Sequence, residues 1–579
     1  MTSSQKLQEA LVIPVPEDGR LVLDSCRRLL GPNLFGVETG AVGDGLSPGF
    51  DPVRMLARWQ AHLRALLDGV GWTNTAITLR PFTGGGSIFI PASVDQLFTA
   101  AYLIEAAWYF AATDLMAMPQ MPRDQMIRDL KAVAQLEANP ALRQIVADAA
   151  SHGVDRLLDD DQLTLGHGSG AVTWATDNLP APAPWDRLHD VPLALVTGTN
   201  GKTTTTRLIA AMGGAAGKVS GLSSTEFVKV GDEILDKGDY SGPAGARLLL
   251  RDPRLELAVL EVARGGILRR GLPVTRARAA IVTNVAADHL GQYGIMTVPE
   301  LAQVKLAVRR ALAPGGLLIL NADDAQVVAA AEGVTERIGW FSLSPDTPQI
   351  VSARAAGHPC GWLEEGGLVL SDGRENLALI TATDVPLTLG GAARYNIENA
   401  LGAVLAARAL DLPDEAIRRV LGSFRSDAKD NPGRANEFSI KGARLFVDFA
   451  HNPHSIAAVT SALAALPAKR RFVLLGHAGD RSDDDIRALT TGAFALRPDV
   501  VVAAENPKYL RGRPAGQIPD LIRQTSIQLG LAPDQVLMAD SPSAGAAAII
   551  DQLRPGDLAL LLIHDERQKI FDLIAAATD

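Results

Sequence analysis

Cysteine is close to absent: 579 residues hold 2, Cys26 and Cys360. Two thiols so far apart in sequence build neither a disulfide framework nor a multi-thiolate metal site, and their scarcity fits a reducing compartment. Long basic runs are absent as well. Lys+Arg number 55 against 65 Asp+Glu, a formal charge of -10, so the chain has no electrostatic footprint for a phosphate backbone and nucleic acid is ruled out as its main partner. The nearest approach to a membrane span, Val94 to Met118, is broken by Asp95, Glu105 and Asp114, each costly in hydrocarbon. Met1 to Pro14 mixes Ser, Gln, Lys and Glu with short apolar patches and lacks the apolar block of a secretory signal. The expected location is cytoplasmic, with no membrane association.

What is present is the composition of a soluble globular chain, 47% hydrophobic with 54 Gly and 34 Pro, long enough for about three to five units of roughly 100–200 residues. The spacing predicts helices over Asp51–Leu67, Ser93–Thr113 and Asp124–Leu136 and strand-like pieces at Thr75–Leu79 and Ser87–Ile90, together an N-terminal α+β domain over residues 1–185. Leu179-Pro180-Ala181-Pro182-Ala183-Pro184 then reads as a stiff linker, because proline at alternate positions blocks helix and central strand alike. Beyond Val191 short apolar runs alternate with helical stretches. Leu193–Val196, Leu257–Glu261, Ala279–Thr283 and Leu317–Leu320 read as strands buried on both faces of a parallel sheet. The rhythm returns at Leu445–Asp448, Arg471–Leu475, Val500–Ala503 and Asp557–Ile563. The expected fold class is therefore α/β, with a central P-loop-type parallel-sheet domain at 186–425 and a C-terminal Rossmann-like domain at 426–579.

Chemistry concentrates at Leu193–Thr206, LALVTGTNGKTTTT, where a buried strand enters a glycine turn and then a helix. Such a turn presents backbone N–H groups and a helix N-terminus to phosphate; Lys202 adds a point charge and the Thr203 hydroxyl suits Mg²⁺. The turn departs from the strict P-loop spacing, since Val196 stands five before Gly201 and the other glycine is Gly198. ATP is the expected ligand. Glu261 closes a strand at the carboxyl edge where open α/β sheets bind ligands, and a carboxylate beside a triphosphate would serve Mg²⁺. Thr297-x-x-Glu300 with Pro299 announces a helix. On it Leu301, Lys305, Val308 and Leu312 share one stripe, which turns Lys305 inward, where burial lowers its pKa and exposes a neutral amine.

Gly198-Thr199-Asn200-Gly201-Lys202-Thr203-Thr204 is similar to the nucleotide turn of the Mur ligase family, ATP-dependent carboxylate–amine ligases. Further segments resemble the Mur-like half of cyanophycin synthetases: Glu261-Val262-Ala263-Arg264-Gly265-Gly266-Ile267, Asn284 through Asp288-His289-Leu290-Gly291, Asn431-Pro432-Gly433-Arg434, Asp448-Phe449-Ala450-His451-Asn452-Pro453, Gly479-Asp480-Arg481 and Leu510-Arg511-Gly512-Arg513. The resemblance implies that His289 holds a second Mg²⁺ and that Lys305, often carbamoylated in that family, supplies an anionic ligand nearby. It implies that Asn396 and Asn399 lie by the nucleotide, that Arg434 enters toward the phosphates from beyond a hinge, and that Asp448 meets the ribose. His451 and Asp480 become site-adjacent without assigned roles.

Leu30-Gly31-Pro32-Asn33-Leu34 resembles the opening of those synthetases, with leucine where arginine is usual, and Leu163-Thr164-Leu165-Gly166-His167-Gly168 resembles the start of their ATP-grasp domain. Only about 24 residues lie between Gly170 and Leu195, too few for a domain of at least about 50, so no grasp module fits there. The implied activity is ATP-dependent joining of an amino acid to a carboxylate of a peptide or peptide-like acceptor, with a separate ATP-grasp ligase as a partner and a homo-oligomeric state by family resemblance alone. The alternatives are another Mur-superfamily ligase, acting on peptidoglycan precursors, polyglutamate or folylpolyglutamate, and a catalytically inactive nucleotide-binding scaffold.

Overall fold

The computed structural model describes residues 3–16, 18–372 and 375–578. Packing divides them into two units: residues up to Phe341 with Gly402–Ala416, and Ser342–Leu401 with Ile417 onward.

The first unit opens with strands β1 (Val22–Leu29), β2 (Gly40–Leu46), β3 (Thr78–Phe82) and β4 (Gly85–Pro91), an antiparallel sheet in the order β1-β2-β4-β3. Helices Pro52–Val70, Leu97–Leu115 and Arg123–Glu137 cover it and bury Trp59, Leu63, Leu103, Trp108 and Phe110. The second of these starts four residues later than the spacing predicts. Ser93 Oγ donates to Asp95 Oδ1 at 2.6 Å, and Glu137 accepts the Phe98 and Thr99 N–H groups at 2.8 Å, so the cap comes from the neighbouring helix. The expected strand at Thr75–Leu79 begins only at Thr78, because Arg64 holds the Thr73 and Thr75 carbonyls in the preceding turn. A three-stranded antiparallel sheet follows, β5 (Arg156–Leu158), β6 (Gln162–Leu165) and β7 (Val172–Ala175). The expected linker contains neither helix nor strand, but it is a packed strap: Leu179, Ala183 and Trp185 lie in an apolar cluster with Leu142, Ile145 and Leu163.

The central sheet carries β8 (Leu193–Thr197), β9 (Ser220–Ser223), β10 (Phe227–Val230), β11 (Glu233–Lys237), β12 (Leu257–Glu261), β13 (Ala277–Val282), β14 (Leu312–Asn321) and β15 (Ile338–Ser342). Strands β9-β12-β8-β13-β14-β15 run parallel in that order, while β10 and β11 extend one edge antiparallel. β8 and β12 are buried along their whole length, as a parallel sheet covered on both faces requires. Helix Val298–Leu306 has the predicted capping box, but it stops at Leu306. Ala307–Ala311 tightens to a 3₁₀ turn and Leu312 already belongs to β14, so the stripe of Leu301, Lys305, Val308 and Leu312 spans three elements.

The second unit holds an antiparallel meander, β16 (Cys360–Glu364), β17 (Gly367–Ser371) and β18 (Asn376–Thr381). It also holds a six-stranded sheet of β19 (Asn436–Ile440), β20 (Ala443–Asp448), β21 (Arg471–Leu475), β22 (Val500–Ala504), β23 (Val536–Ala539) and β24 (Leu558–Leu562). Its order is β19-β20-β24-β21-β22-β23, parallel except at β19. Apolar clusters fill both of its faces, around Phe446, Val473 and Leu560 on one and Leu445, Phe472 and Leu561 on the other. This is the expected Rossmann-like α/β arrangement. Among the described residues no helix is long and apolar enough to cross a membrane.

Candidate active site

β8 ends at Thr197, and the chain must turn at once into helix Lys202–Ala215. Gly198 makes this possible: its φ is +150°, and a Cβ there would lie 1.8 Å from Thr283 Oγ1 on the adjoining strand end. The turn is braced from the end of β13. Asn284 accepts the Thr199 N–H on its carbonyl at 2.8 Å and the Asn200 N–H on Oδ1 at 2.9 Å, and its Nδ2 donates to the Asn200 carbonyl at 3.0 Å. Thr283 Oγ1 donates to the same carbonyl at 2.6 Å. The loop therefore has its shape before any ligand arrives, with the first N–H groups of a 14-residue helix behind Gly201.

Two amines converge on this turn. Lys202 Nζ donates to the Gly198 and Thr199 carbonyls at 3.1 and 3.0 Å, and Lys305 Nζ donates to Gly198 O at 2.7 Å. Burial, reinforced by the Lys202 charge, pulls Lys305 well below the ordinary lysine range, although Asp288 opposes the shift. Burial thus shifts Lys305 in the direction expected of an inward-facing lysine. Glu261, 2% exposed at the end of β12, accepts the Thr203 hydroxyl on Oε2 at 2.9 Å, while its Oε1 is buried without a hydrogen-bond partner. An orphaned buried carboxylate oxygen beside a hydroxyl is a hard-oxygen donor set, and Thr203 and Glu261 fit a Mg²⁺ ion. Lys202, Thr203, Glu261 and Lys305 all gather at the carboxyl edge of β8 and β12.

His289 stands apart from this buried group. It is 56% exposed, with φ +50° and Nε2 3.9 Å from Asp288 Oδ1. Two neighbours were passed over as site residues in the sequence. Asp288 faces Lys305 electrostatically. Arg264 bonds Gln292 Oε1 at 2.6 Å, has Nη1 buried without a partner, and has its pKa lowered by burial against the pull of Asp288. Its signal was its place three residues after Glu261 in the same motif.

In the second unit Asp448 closes β20. Its two oxygens accept the Ala435 and Ala450 N–H groups at 2.7 and 2.6 Å. Burial raises its pKa, and the Arg434 charge and those N–H groups pull the other way. Arg434 lies over the Phe449 ring at 5.0 Å and donates to Gly433 O at 3.0 Å. Asn396 Nδ2 donates to Leu387 O at 2.9 Å, and Asn399 Nδ2 to Asn396 Oδ1 at 3.1 Å, both within helix Arg394–Ala409 and buried. Asp480 is exposed, and the His451 ring packs edge-on against Phe449. His477 and His564 were missed. They follow β21 and β24, with ring centroids 6.3 Å apart, and burial drives His477 down to about 3. A histidine two residues past the end of a buried parallel strand was the available signal.

Comparison with known proteins places residues 196–407 in the Mur ligase middle domain and 433–562 in the Mur ligase glutamate ligase domain. Cyanophycin synthetase of Crocosphaera subtropica is 40% identical over 477 residues, 81% of this chain and 51% of that protein. The Synechocystis enzyme of the same name is 38% identical over 362 residues, 62% of this chain and 40% of its own. The chain thus spans about half, or less, of the length of these relatives. UDP-N-acetylmuramoylalanine–D-glutamate ligase of Salinibacter ruber is 27% identical over 349 residues, 60% of this chain and 68% of that one. Among solved structures, E. coli FolC in complex with ADP has a TM-score of 0.49 at 19% identity, covering 68% of this chain and 90% of that chain.

Proposed function

Because the chain carries the middle and glutamate-ligase domains of the Mur ligases, we propose that it is an ATP-dependent amide ligase. It activates a carboxylate of a peptide or peptide-like acceptor as an acyl phosphate and joins it to the amine of an amino acid, releasing ADP and phosphate. One observation carries this reading: a preformed glycine turn sets Lys202 beside a buried Thr203–Glu261 pair with one carboxylate oxygen unsatisfied.

The N–H groups at the start of helix Lys202–Ala215 and the Lys202 ammonium hold the β- and γ-phosphates, Lys202 leaving its own loop carbonyls for the ligand. An acceptor carboxylate oxygen attacks the γ-phosphorus, the bond to the β–γ bridging oxygen breaks, and ADP leaves. The amine nitrogen, delivered without its extra proton, then attacks the acyl carbon; the carbon–oxygen bond to phosphate breaks, the nitrogen gives up one more proton as phosphate leaves, and the amide remains. Thr203 and Glu261 would hold one Mg²⁺, which would supply positive charge to the transferring phosphoryl group, and family resemblance assigns His289 and a carbamoylated Lys305 to a second ion. The burial that pulls the Lys305 pKa well down favours the free amine that carbamoylation needs. Arg434 is assigned to the phosphates, Asn396 to the nucleotide and Asp448 to the ribose. The two oxygens of Asp448 each keep a lone pair beyond their backbone bonds. The same reading assigns domains 1–185, 186–425 and 426–579, a cytoplasmic homo-oligomer, and a separate ATP-grasp ligase as a collaborator.

The test is direct. Purified protein with MgATP, short aspartate- or glutamate-containing peptides and a panel of amino acids is expected to release phosphate only when amine and acceptor are both present, with a product heavier by one amino-acid residue. No amine-dependent turnover with any acceptor would overturn the proposal.

A further inference from the structure

Between the end of β13 and helix Val298–Leu306, residues 283–297 contain no helix or strand apart from a single bridge between Gln292 and Ile295. This segment carries His289 and leads into the helix that bears Lys305. Its backbone is not one that local preference selects, because His289 and Tyr293 both sit at positive φ, +50° and +55°, and such residues persist only where their surroundings impose them. The imposing contacts come from the N-terminal sheet. Arg80 on β3 donates from Nη1 to Gly294 O at 2.9 Å and from Nη2 to Tyr293 O at 3.0 Å, so one guanidinium grips two consecutive carbonyls. Ser87 on β4 steadies it at 3.1 Å, and Glu300, the capping-box residue of the Lys305 helix, lies 3.6 Å from Nη1. Arg27 on β1 stacks over the Tyr293 ring at 4.5 Å and is itself held by Asp44 on β2 at 2.6 Å. Gly294 admits this approach, because a Cβ there would lie 2.4 Å from the Phe82 ring. From the other side Arg264, next to the Glu261 motif, bonds Gln292.

We propose that the N-terminal sheet is a structural part of the metal and phosphate site: it braces the 286–297 segment, and Arg80 is a positioning residue that sets His289 and the Lys305 helix in fixed relation. The inference rests on the ligase reading for the identity of the site. The geometry requires arginine, because a lysine ammonium is a single point donor without the planar fork that reaches both carbonyls.

The experiment compares the full chain with Arg80→Gln and Arg80→Lys, using amide hydrogen exchange without ligand and Mn²⁺ binding by electron paramagnetic resonance in the presence of AMPPNP. Arg80→Gln is expected to speed exchange of residues 286–297 at least tenfold while β8 and β12 keep their protection, and to weaken Mn²⁺ about tenfold, the effect typical of losing a ligand-orienting partner. Arg80→Lys, which keeps the charge and loses the fork, is expected to fall between. Unchanged exchange in 286–297 or unchanged Mn²⁺ affinity in either variant would overturn the brace, as would loss of β8 and β12 protection in Arg80→Lys equal to that of the segment. A parental chain that binds no AMPPNP would fail the ligase reading instead, and the exchange comparison would still decide the brace.

Discussion

The two parallel sheets of this molecule finish in opposite ways at their carboxyl edges. The central edge leaves groups waiting: Glu261 has an unpartnered oxygen, Lys305 is buried with its pKa pulled well down, and Lys202 rests on carbonyls it can leave. The C-terminal edge holds its carboxylate on the backbone and buries its imidazoles. There Asp448 is held by two backbone N–H groups beside the Arg434 charge, and burial pulls the pKa of His477 and of His564 down, with both His477 ring nitrogens lacking a hydrogen-bond partner. Polar groups at the same topological position thus serve different ends. Removing Lys202 or Glu261 from the first edge should cost catalysis with little loss of stability, and removing the buried His477 from the second should change stability and its pH dependence.

The largest effect is expected at Lys202. Lys202→Ala should lower ATP-dependent turnover by about 10³-fold, as loss of a charge aimed at the transferring phosphoryl group does, with unfolding midpoints unchanged; a large fall in midpoint would break the contrast. Glu261→Gln keeps the shape and removes the charge, and should cost about 10²-fold in turnover and raise the Mg²⁺ requirement, read from magnesium titrations of phosphate release. At the other edge, His477 is held at about 3 against an ordinary 6.5, so the unfolded chain takes a proton below pH 6.5 that the folded chain refuses. Its neutral form leaves stability intact above pH 6.5 and stability falls as pH drops toward 3, by about 2 kcal/mol at pH 5. Denaturant titrations across pH 4.5–7 should show that slope in the parent and a shallower one in His477→Leu. The smallest effect sharpens the role of preformation: Asn284→Ala frees the turn without touching phosphate, and should weaken ATP binding about tenfold by calorimetry.

Much of this was legible in the sequence, for identifiable reasons. Leu257–Glu261 and Arg471–Leu475 are strands with the very bounds their apolar runs predict, because strands buried on both faces leave no polar interruption to blur them. The Thr297–Glu300 capping box is present because both partners of its reciprocal bonds are local. Strands β1 and β2 were illegible. β1 carries Ser25, Arg27 and Arg28, whose partners Asp44 and Asp160 lie far along the chain, and Gly43 and Gly45 break any apolar alternation in β2 although they make room for Trp59 and Trp108. The stripe through Lys305 reached past the end of its helix because a 3₁₀ turn preserves inward-facing positions for one more turn. His477, His564 and Arg264 escaped notice because their environments are assembled from separate strands and loops, which no local pattern records.

The most direct measurement follows oxygen. With an acceptor whose carboxylate is labelled with ¹⁸O, ATP, magnesium and the accepted amino acid, mass spectrometry of the released phosphate is predicted to show one ¹⁸O atom per turnover, carried over when the acyl phosphate forms and its carbon–oxygen bond breaks. Product formation with phosphate free of label would contradict activation of the carboxylate by γ-phosphoryl transfer at the Gly198–Thr204 turn.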